Sequence, residues 1–264
     1  MACCMTVRDC RKFLPNIFKN IDRLRTLFTE FVLIVSYDNC TDHSEVLLKK
    51  YQRQSSFPVH LLKIDNPSPH RTIRIANARN ACLNKLETLD VTSPTHFMVD
   101  ADDVNVEPWN LQLIEYYIKR DDWDVITFNR KDYYDIWALM YPPFQHHCWG
   151  FSRYSRAVVE CMKKDIMCRL ENCEEWVPCQ SAFNGFAIYK TQRFKGIRYD
   201  GEYKNLRKMI PEEARQRTLQ TLSCLHLPLV LDETFVQSCE HLYYHLSAIQ
   251  KNQVRIYISK YCLS

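Results

Sequence analysis

The stretch THFMVDADD, residues 95–103, decides the predicted fold. Its apolar beginning is typical of a buried strand, and the strand runs directly into Asp100, Ala101 and Asp102. In an extended segment the side chains of Asp100 and Asp102 point the same way, because strand side chains alternate between the two faces. Two convergent carboxylates can hold Mg²⁺ or Mn²⁺ and leave positions that a diphosphate can fill.

An acidic turn that faces solvent is the alternative interpretation of this triplet, since such triplets are common by chance. The preceding strand favours the metal site, because ligands of open α/β sheets bind at the carboxyl ends of the strands. A metal there would neutralise the charge that builds on a departing diphosphate. We therefore predict that Asp100 and Asp102 form a metal site with a catalytic role.

On both sides of this stretch, short apolar runs alternate with amphipathic stretches, which predicts an α/β fold. The predicted strands cover residues 2–7, 31–37, 59–64, 95–99 and 125–129. The predicted helices cover residues 11–30, 44–52, 72–86 and 108–119. Aromatic-rich stretches follow at 133–151 and 176–203, and long connections of this kind often form binding loops. No internal repeat or low-complexity linker divides the chain, so we expect one domain over residues 1–264.

The composition excludes several classes of nucleotide-binding protein. With 4 glycines the chain contains neither GxGxxG nor GxxxxGK[ST], which argues against dinucleotide-binding and P-loop proteins. The net charge of +4 is spread along the chain without a Lys/Arg block, so no nucleic-acid partner is expected.

Location is predicted from the beginning of the chain and from its cysteines. We expect no secretory signal, because no long apolar segment follows Met1, and no apolar run approaches the ~20 residues that span a bilayer. Most of the 13 cysteines are expected to be reduced core residues, for example Cys3, Cys4, Cys82 and Cys224. These features predict a cytoplasmic protein with no transmembrane segment.

Arginines and acidic residues elsewhere are candidates for nucleotide binding. Arg74 and Arg79 lie near the start of the helix predicted at 72–86, where they suit phosphate or the metal-binding carboxylates, although a solvated helix face is an equal alternative. Asp38 follows the strand 31–37 at the same sheet edge as Asp100 and could accept hydrogen bonds from a base or ribose, or cap a helix instead.

The segment from 238 to 245 opens an amphipathic helix with polar residues at its start. His241 could complete a metal shell, and Glu240 could act as a general base toward an acceptor hydroxyl. His245 lies one turn further on the same face as His241. A glutamate in the first turn is also favourable against the helix dipole alone.

Two aromatic segments are candidates for sugar binding. Asn184 and Gly185 lie between phenylalanines, where a glycine lets the backbone approach a ligand, although a buried strand with a bulge is the alternative. Asp135 and Trp137 in KDYYDIWAL form a similar acceptor-site candidate with the same alternative.

Several fragments, in order, resemble one family. CMTVRDCRKFLPNI, FVLIVSYDNCTDHS, RIANARN and FMVDADDV resemble the nucleotide-binding half of GT-A glycosyltransferases. YYDIWAL, SAFNGFAIYK and SCEH are similar to segments of fungal capsule-associated mannosyltransferases and of glycosyltransferases from large DNA viruses. The resemblance implies a Rossmann-like GT-A domain with a mixed, mostly parallel sheet flanked by helices, in which residues 1–130 bind the nucleotide-sugar and residues 131–264 bind the acceptor.

The resemblance also implies a ligand set. By position Asp102 is the direct metal ligand, with support from Asp100, while Arg79 matches the family's helix arginine and Asp38 its base-side acidic residue. His241 matches a late metal or phosphate contact. The implied cofactor is Mn²⁺ or Mg²⁺, and the implied location is the host cytoplasm if the protein is viral.

The expected activity is transfer of a hexose or deoxyhexose from a UDP- or GDP-sugar to a hydroxyl of a glycan or glycoprotein, a hexosyltransferase of class EC 2.4. If the reaction inverts the anomeric centre, Glu240 is the expected general base. If it retains, Glu240 only positions the acceptor. The alternatives are a nucleotidyltransferase that uses the same carboxylates and a carbohydrate-binding protein without catalysis.

Overall fold

A computed structural model describes residues 1–89, 93–226, 231–232 and 234–264. Its described strands form one eight-stranded sheet in the order β3-β2-β1-β4-β7-β5-β8-β6. The strands are β1 (Ala2–Val7), β2 (Val32–Tyr37), β3 (Val59–Lys63), β4 (Thr95–Asp100), β5 (Val125–Asn129), β6 (Trp176–Cys179), β7 (Phe186–Lys190) and β8 (Ile256–Cys262). The predicted α/β domain with a mixed, mostly parallel central sheet is confirmed.

Helices cover both faces of this sheet. They are α1 (Leu14–Arg25), α2 (Ser44–Gln54), α3 (Arg71–Thr88), α4 (Leu111–Ile118), α5 (Ser155–Asn172), α6 (Tyr203–Met209), α7 (Glu212–Leu222) and α8 (Glu240–Asn252). Short 3₁₀ turns at Asp103–Asn105 and Ile136–Ala138 follow β4 and β5. Within the described residues, no helix combines the length and the apolar character that crossing a membrane requires.

The strand β1 shows why the sheet is covered on both sides. Cys3 and Met5 pack with the apolar face of α1, whereas Ala2 and Cys4 pack with α3 and α8 on the other face. All four side chains are buried, as expected for a strand in the parallel part of a sheet. Apolar residues in alternate positions therefore belong to two different cores.

The parallel part of the sheet determines where polar side chains collect. The strands β3, β2, β1 and β4 run parallel, with Thr6 opposite both Ser36 and Asp100. Their carboxyl ends therefore lie at one edge. The antiparallel strand β7 separates β4 from β5, and Gly185, just before β7, accepts a hydrogen bond from the Asp100 amide at 2.9 Å.

The helix prediction over 11–30 was too long. The helix α1 ends at Arg25, and Thr26 closes it with backbone bonds to Arg23 and Leu24. Pro15 lies in the first turn, where its fixed φ and missing amide hydrogen are tolerated. The prediction over 108–119 began too early, because Asn110 caps α4 by accepting from the Leu113 amide at 3.1 Å.

The prediction for the cysteines is confirmed in part. All 13 cysteines lie in the described residues, and all have free thiols. Cys3, Cys4 and Cys82 are buried as predicted. The core prediction for Cys224 was wrong, because it lies exposed in a 3₁₀ turn after α7.

Candidate functional site

A cavity of about 460 Å³ lies at the carboxyl ends of β1, β2 and β4. All the site residues predicted from sequence line it except Asn184 and Gly185. The lining members of that set are Asp38, Arg74, Arg79, Asp100, Asp102, Asp135, Trp137, Glu240 and His241. The volume is in the range of ~300–1,000 Å³ usual for small-molecule sites.

Arg79 connects the two sides of this cavity. Its Nη2 lies 2.8 Å from Asp100 Oδ1, and its Nε lies 3.0 Å from Glu240 Oε1. The guanidinium is stacked over Phe183, with 4.6 Å between its central carbon and the ring centroid, and is 3% exposed. Burial lowers the pKa of Arg79, but Asp100 and Glu240 outweigh this effect and raise it well above its usual value. The end of β4 and the start of α8 are thus held by one buried cation.

Asp102 carries one carboxylate oxygen that is buried and unsatisfied. Its Oδ1 has no hydrogen-bond partner among the residues that the structure describes. Burial, followed by the charges of Asp100 and Asp103, raises the pKa of Asp102 to about 7. A cation bound at this carboxylate would be a partner for Oδ1 and would lower the pKa of Asp102, because it supplies positive charge.

The donor set fits a divalent cation whose shell is incomplete without a ligand. Asp100 and Asp102 supply the hard oxygen ligands that Mn²⁺ and Mg²⁺ prefer. Within the described residues, no three His, Cys, Asp or Glu side chains are grouped as a preformed metal centre. The other coordination positions of such a cation would be open to water or to the oxygen atoms of a bound ligand.

His241 and His245 have different surroundings although both lie on α8. His245 is satisfied, with Nδ1 2.8 Å from Ser181 Oγ and Nε2 3.0 Å from Tyr189 Oη. Both ring nitrogens of His241 are buried without a hydrogen-bond partner in the described part of the chain, and its ring stacks on Phe183 at 3.9 Å. Burial, then Arg79 and His245, lower the pKa of His241 well below its usual value, so its imidazole is neutral.

Unsatisfied polar atoms converge on this one cavity. Within the described ranges, five buried atoms of four lining residues have no hydrogen-bond partner: Arg79 Nη1, Asp102 Oδ1, Trp137 Nε1 and both ring nitrogens of His241. Each such atom costs about 1–3 kcal/mol unless something pairs with it. The mixture of donors and an anionic acceptor is suited to a polar ligand bound together with a cation.

A cationic wall lies on the side of the cavity formed by α3. Arg74 donates Nη1 to the carbonyls of Ser68 and Pro69 at 2.8 Å, which leaves its other groups for the cavity. Arg71 is exposed and forms no ion pair among the residues that the structure describes. Nearby, the buried Asp38 lies 3.5 Å from Arg8 Nη1. Positive charge on this wall is suited to phosphate groups.

Asn184 and Gly185 lie behind the cavity rather than along it. Asn184 Oδ1 accepts from the Asp135 amide at 3.3 Å, and its Nδ2 donates to the Phe128 carbonyl at 3.0 Å. The Gly185 carbonyl accepts from the Asp100 amide. Both residues therefore position the carboxylates of the cavity, and their predicted contact with an acceptor stays a prediction.

Two supporting residues were missed from the sequence. Asn105 donates Nδ2 to the carbonyls of Asp100 at 2.9 Å and Gly185 at 2.8 Å. Arg130 donates to the carbonyl of Val104, to Asn105 Oδ1 at 3.1 Å and to the Asn184 carbonyl at 2.9 Å. Arg130 directly follows a predicted strand, the same signal that pointed to Asp100. Together these bonds brace the 3₁₀ turn that follows the two aspartates.

Replacing Gly185 with alanine is expected to destabilise the protein and displace this turn. Gly185 has φ +86°, and a Cβ there would lie 2.5 Å from Val104 Cγ2. We expect a loss of roughly 1–2 kcal/mol from backbone strain and a further ~1–3 kcal/mol from overpacking. Urea denaturation of Gly185→Ala measures the sum.

Gly196→Ala is the matched control for that variant. Gly196 also has a positive φ, +72°, but the nearest atom to its Cβ is Lys251 Nζ at 4.0 Å. Gly196→Ala is expected to lose only the part of the unfolding free energy that comes from backbone strain. Equal losses in the two variants would contradict the packing argument at Gly185.

Comparison with known proteins gives only distant likenesses. No family model matches the chain, and no curated protein matches its sequence. Among solved structures, S. aureus TarS in complex with UDP-GlcNAc is 16% identical with a TM-score of 0.44, over 91% of this chain and 60% of that one.

Two further structures are similar to the same degree. Glucosyl-3-phosphoglycerate synthase from Mycobacterium tuberculosis, in complex with Mn²⁺, UDP and glucosyl-3-phosphoglycerate, is 10% identical with a TM-score of 0.42, over 74% of this chain and 58% of that one. The mannosyltransferase PcManGT from Pyrobaculum calidifontis, in complex with GDP-Man and Mn²⁺, is 12% identical with a TM-score of 0.41, over 75% of this chain and 47% of that one. The chain spans at most 60% of the length of these three proteins. At these identities and TM-scores the likenesses carry no argument about activity.

Proposed function

We propose that the chain is a metal-dependent glycosyltransferase of the GT-A type that transfers a hexosyl group from a UDP- or GDP-sugar to a hydroxyl of a glycan or glycoprotein. The observation that carries the proposal is the convergence of buried, unpartnered polar atoms on a cavity that also holds Asp100 and Asp102. A nucleotide-sugar with its cation supplies phosphate oxygens for the unpartnered donors and positive charge for Asp102.

Different lining residues of the cavity suit the two parts of such a donor. Asp38 and the cationic wall of α3 suit the nucleoside and the diphosphate. Phe183 stacks on His241, and Trp137 lines the same cavity, so their aromatic faces suit a sugar ring. The division of the chain into donor and acceptor halves at residue 130 is part of this proposal.

Departure of the nucleotide is the step that this site favours. Positive charge placed where negative charge develops is usually the largest contribution to such catalysis. When bound at Asp102 and Asp100, Mn²⁺ or Mg²⁺ supplies a Lewis acid for the leaving diphosphate. Arg79 lines the cavity with an Nη1 that has no partner among the described residues, and it would donate to the leaving diphosphate. His241, which is neutral and also lines the cavity, would supply a further metal or phosphate contact.

A thermal-shift experiment tests this function. We expect UDP or GDP, or a sugar linked to one of them, to raise the melting temperature in the presence of Mn²⁺ and not in EDTA. UDP-GlcNAc and GDP-mannose, with UDP-glucose, make a suitable panel, and ATP serves as the control for a nucleotidyltransferase. Stabilisation by ATP alone, or by a free sugar without metal, would contradict the proposal.

A further inference from the structure

Glu240 is placed poorly for proton abstraction. Its Oε1 accepts from Arg79 Nε at 3.0 Å and lies 3.7 Å from His241 Nε2, and the side chain is 5% exposed. The carboxylate is thus one half of a buried ion pair with Arg79, and its function in that pair is to hold the guanidinium in place.

Asp135 faces the same cavity with a different set of partners. Its Oδ1 accepts from the Ala138 amide at 3.2 Å, and its Oδ2 accepts from the Asn184 amide at 3.3 Å. Among the residues that the structure describes, no Lys, Arg or His forms an ion pair with it. Each oxygen therefore keeps a lone pair, and protonation breaks no ion pair.

Asp135 is held by local hydrogen bonds and has aromatic neighbours in the cavity. It begins the 3₁₀ turn Ile136–Ala138, and Asn184 Oδ1 holds its backbone amide. Its neighbours Tyr134 and Trp137 line the same cavity. Aromatic faces can stack on a sugar ring, and a carboxylate among them can then accept a hydrogen bond from a hydroxyl of that sugar.

The charge state of Asp135 agrees with this placement. Burial, followed by the charge of Asp100, raises the pKa of Asp135 to about 7. A general base is most effective when its pKa lies near the working pH. The first cause, burial, does not depend on a cation at Asp100.

We propose that Asp135 is the general base of the transfer and that Glu240 is a positioning residue for Arg79, so that the reaction inverts the anomeric centre. This inference rests on the proposed function. The acceptor oxygen forms a bond to the anomeric carbon while the bond from that carbon to the diphosphate oxygen breaks. The hydroxyl proton goes to Asp135, and the electron pair of the broken bond leaves with the nucleoside diphosphate.

The assignment has consequences for both residues. Loss of the Asp135 carboxylate removes the proton acceptor but leaves the donor side intact. Loss of the Glu240 charge leaves Arg79 paired with Asp100, so its effect is transmitted through the position of Arg79. One direct displacement without a covalent intermediate gives a product of opposite anomeric configuration.

Hydrolysis of a nucleotide-sugar tests the inference without knowledge of the natural acceptor. The substrate is the nucleotide-sugar that stabilises the protein in the thermal-shift experiment, water is the acceptor, and the release of UDP or GDP is measured. Asp135→Asn keeps the shape and an acceptor for the Ala138 amide. We expect kcat for nucleotide release to fall about 10²–10⁴-fold, with Mn²⁺-dependent nucleotide binding unchanged. Glu240→Gln is expected to reduce kcat less than Asp135→Asn, and NMR of the released sugar should show inversion.

Asp132→Asn is the matched control, because Asp132 lies on the same loop, is 79% exposed and pairs with Lys163 outside the cavity. It should retain wild-type turnover. A fall in Glu240→Gln larger than in Asp135→Asn, or a released sugar of retained configuration, would overturn the assignment while nucleotide-sugar turnover itself stands. Absence of nucleotide binding by the wild-type protein in Mn²⁺ would instead overturn the proposed function.

Discussion

Asp102→Asn is expected to abolish metal-dependent stabilisation by UDP or GDP and to lower turnover about 10²–10³-fold, the loss typical of removing one electrostatic contact from a transition state. The variant removes one charge from the carboxylate that carries the unpartnered buried oxygen. A neutral amide is a poor ligand for Mn²⁺, so the diphosphate loses its cation. Isothermal titration of nucleotide in Mn²⁺ and in EDTA measures the loss.

The same variant should fold at least as well as the wild-type protein. The folded-state pKa of Asp102, about 7, lies above the ordinary value of 3.8, so the folded protein resists ionisation that the unfolded chain allows. Stability is therefore lost as the pH rises from the ordinary pKa through the folded one. In EDTA, the melting temperature of Asp102→Asn should exceed that of the wild type more in mildly alkaline than in mildly acidic buffer.

Asp103→Asn is the control for Asp102→Asn. Asp103 is exposed, and the substitution removes the same charge one residue away. It should leave metal-dependent nucleotide binding in place. Retention of that binding in Asp102→Asn, or its loss in both variants, would contradict a direct role for Asp102.

Arg79→Met is expected to cause the largest loss of stability. It leaves the buried Glu240 carboxylate and the partly buried Asp100 carboxylate without their shared cation, and breaking a buried pair in this way costs about 3–5 kcal/mol. For a chain of this length that corresponds to a fall of roughly 10 °C in melting temperature. Calorimetry, with urea denaturation for the free energy of unfolding, measures it.

A double variant separates the ion pair from the packing of the arginine stem. Arg79→Met combined with Glu240→Met removes the stranded buried charge, so it should be more stable than Arg79→Met alone. Lys49→Met, which breaks an exposed pair with Glu45, should leave the melting temperature unchanged within error. If Arg79→Met behaved like Lys49→Met, the bridge between β4 and α8 would not exist in solution.

Strands and the ends of strands could be predicted well. The predicted starts and ends of the first five strands agree with β1 to β5 to within one residue, because apolar runs bounded by polar turns have no other way to be buried. The fold class followed from their alternation with helices. The placement of Asp38 and Asp100 at one edge followed from parallel pairing alone.

Helix ends and pairings between distant segments could not be predicted. Helix α1 is 12 residues long, although the periodic pattern continues on both sides, because local backbone bonds and not the pattern determine where it ends. His241 and His245 have the same spacing signal. Only the packing of α8 separates an imidazole that lines the cavity from one that is satisfied in the core.

The sequence by itself thus determined that Asp38 and Asp100 lie at one edge of the sheet, because the carboxyl ends of parallel strands meet there. Only the tertiary structure decided which of them are free to react. Arg79 and Glu240 are 161 residues apart, and no local pattern encodes their ion pair. Likewise, Asp135 receives one of its two backbone hydrogen bonds from the Asn184 amide, which lies 49 residues further along the chain. Hydrogen-bond and ion-pair partners that are distant in sequence are brought together by packing of the whole chain. The chemistry of each carboxylate depends on those partners.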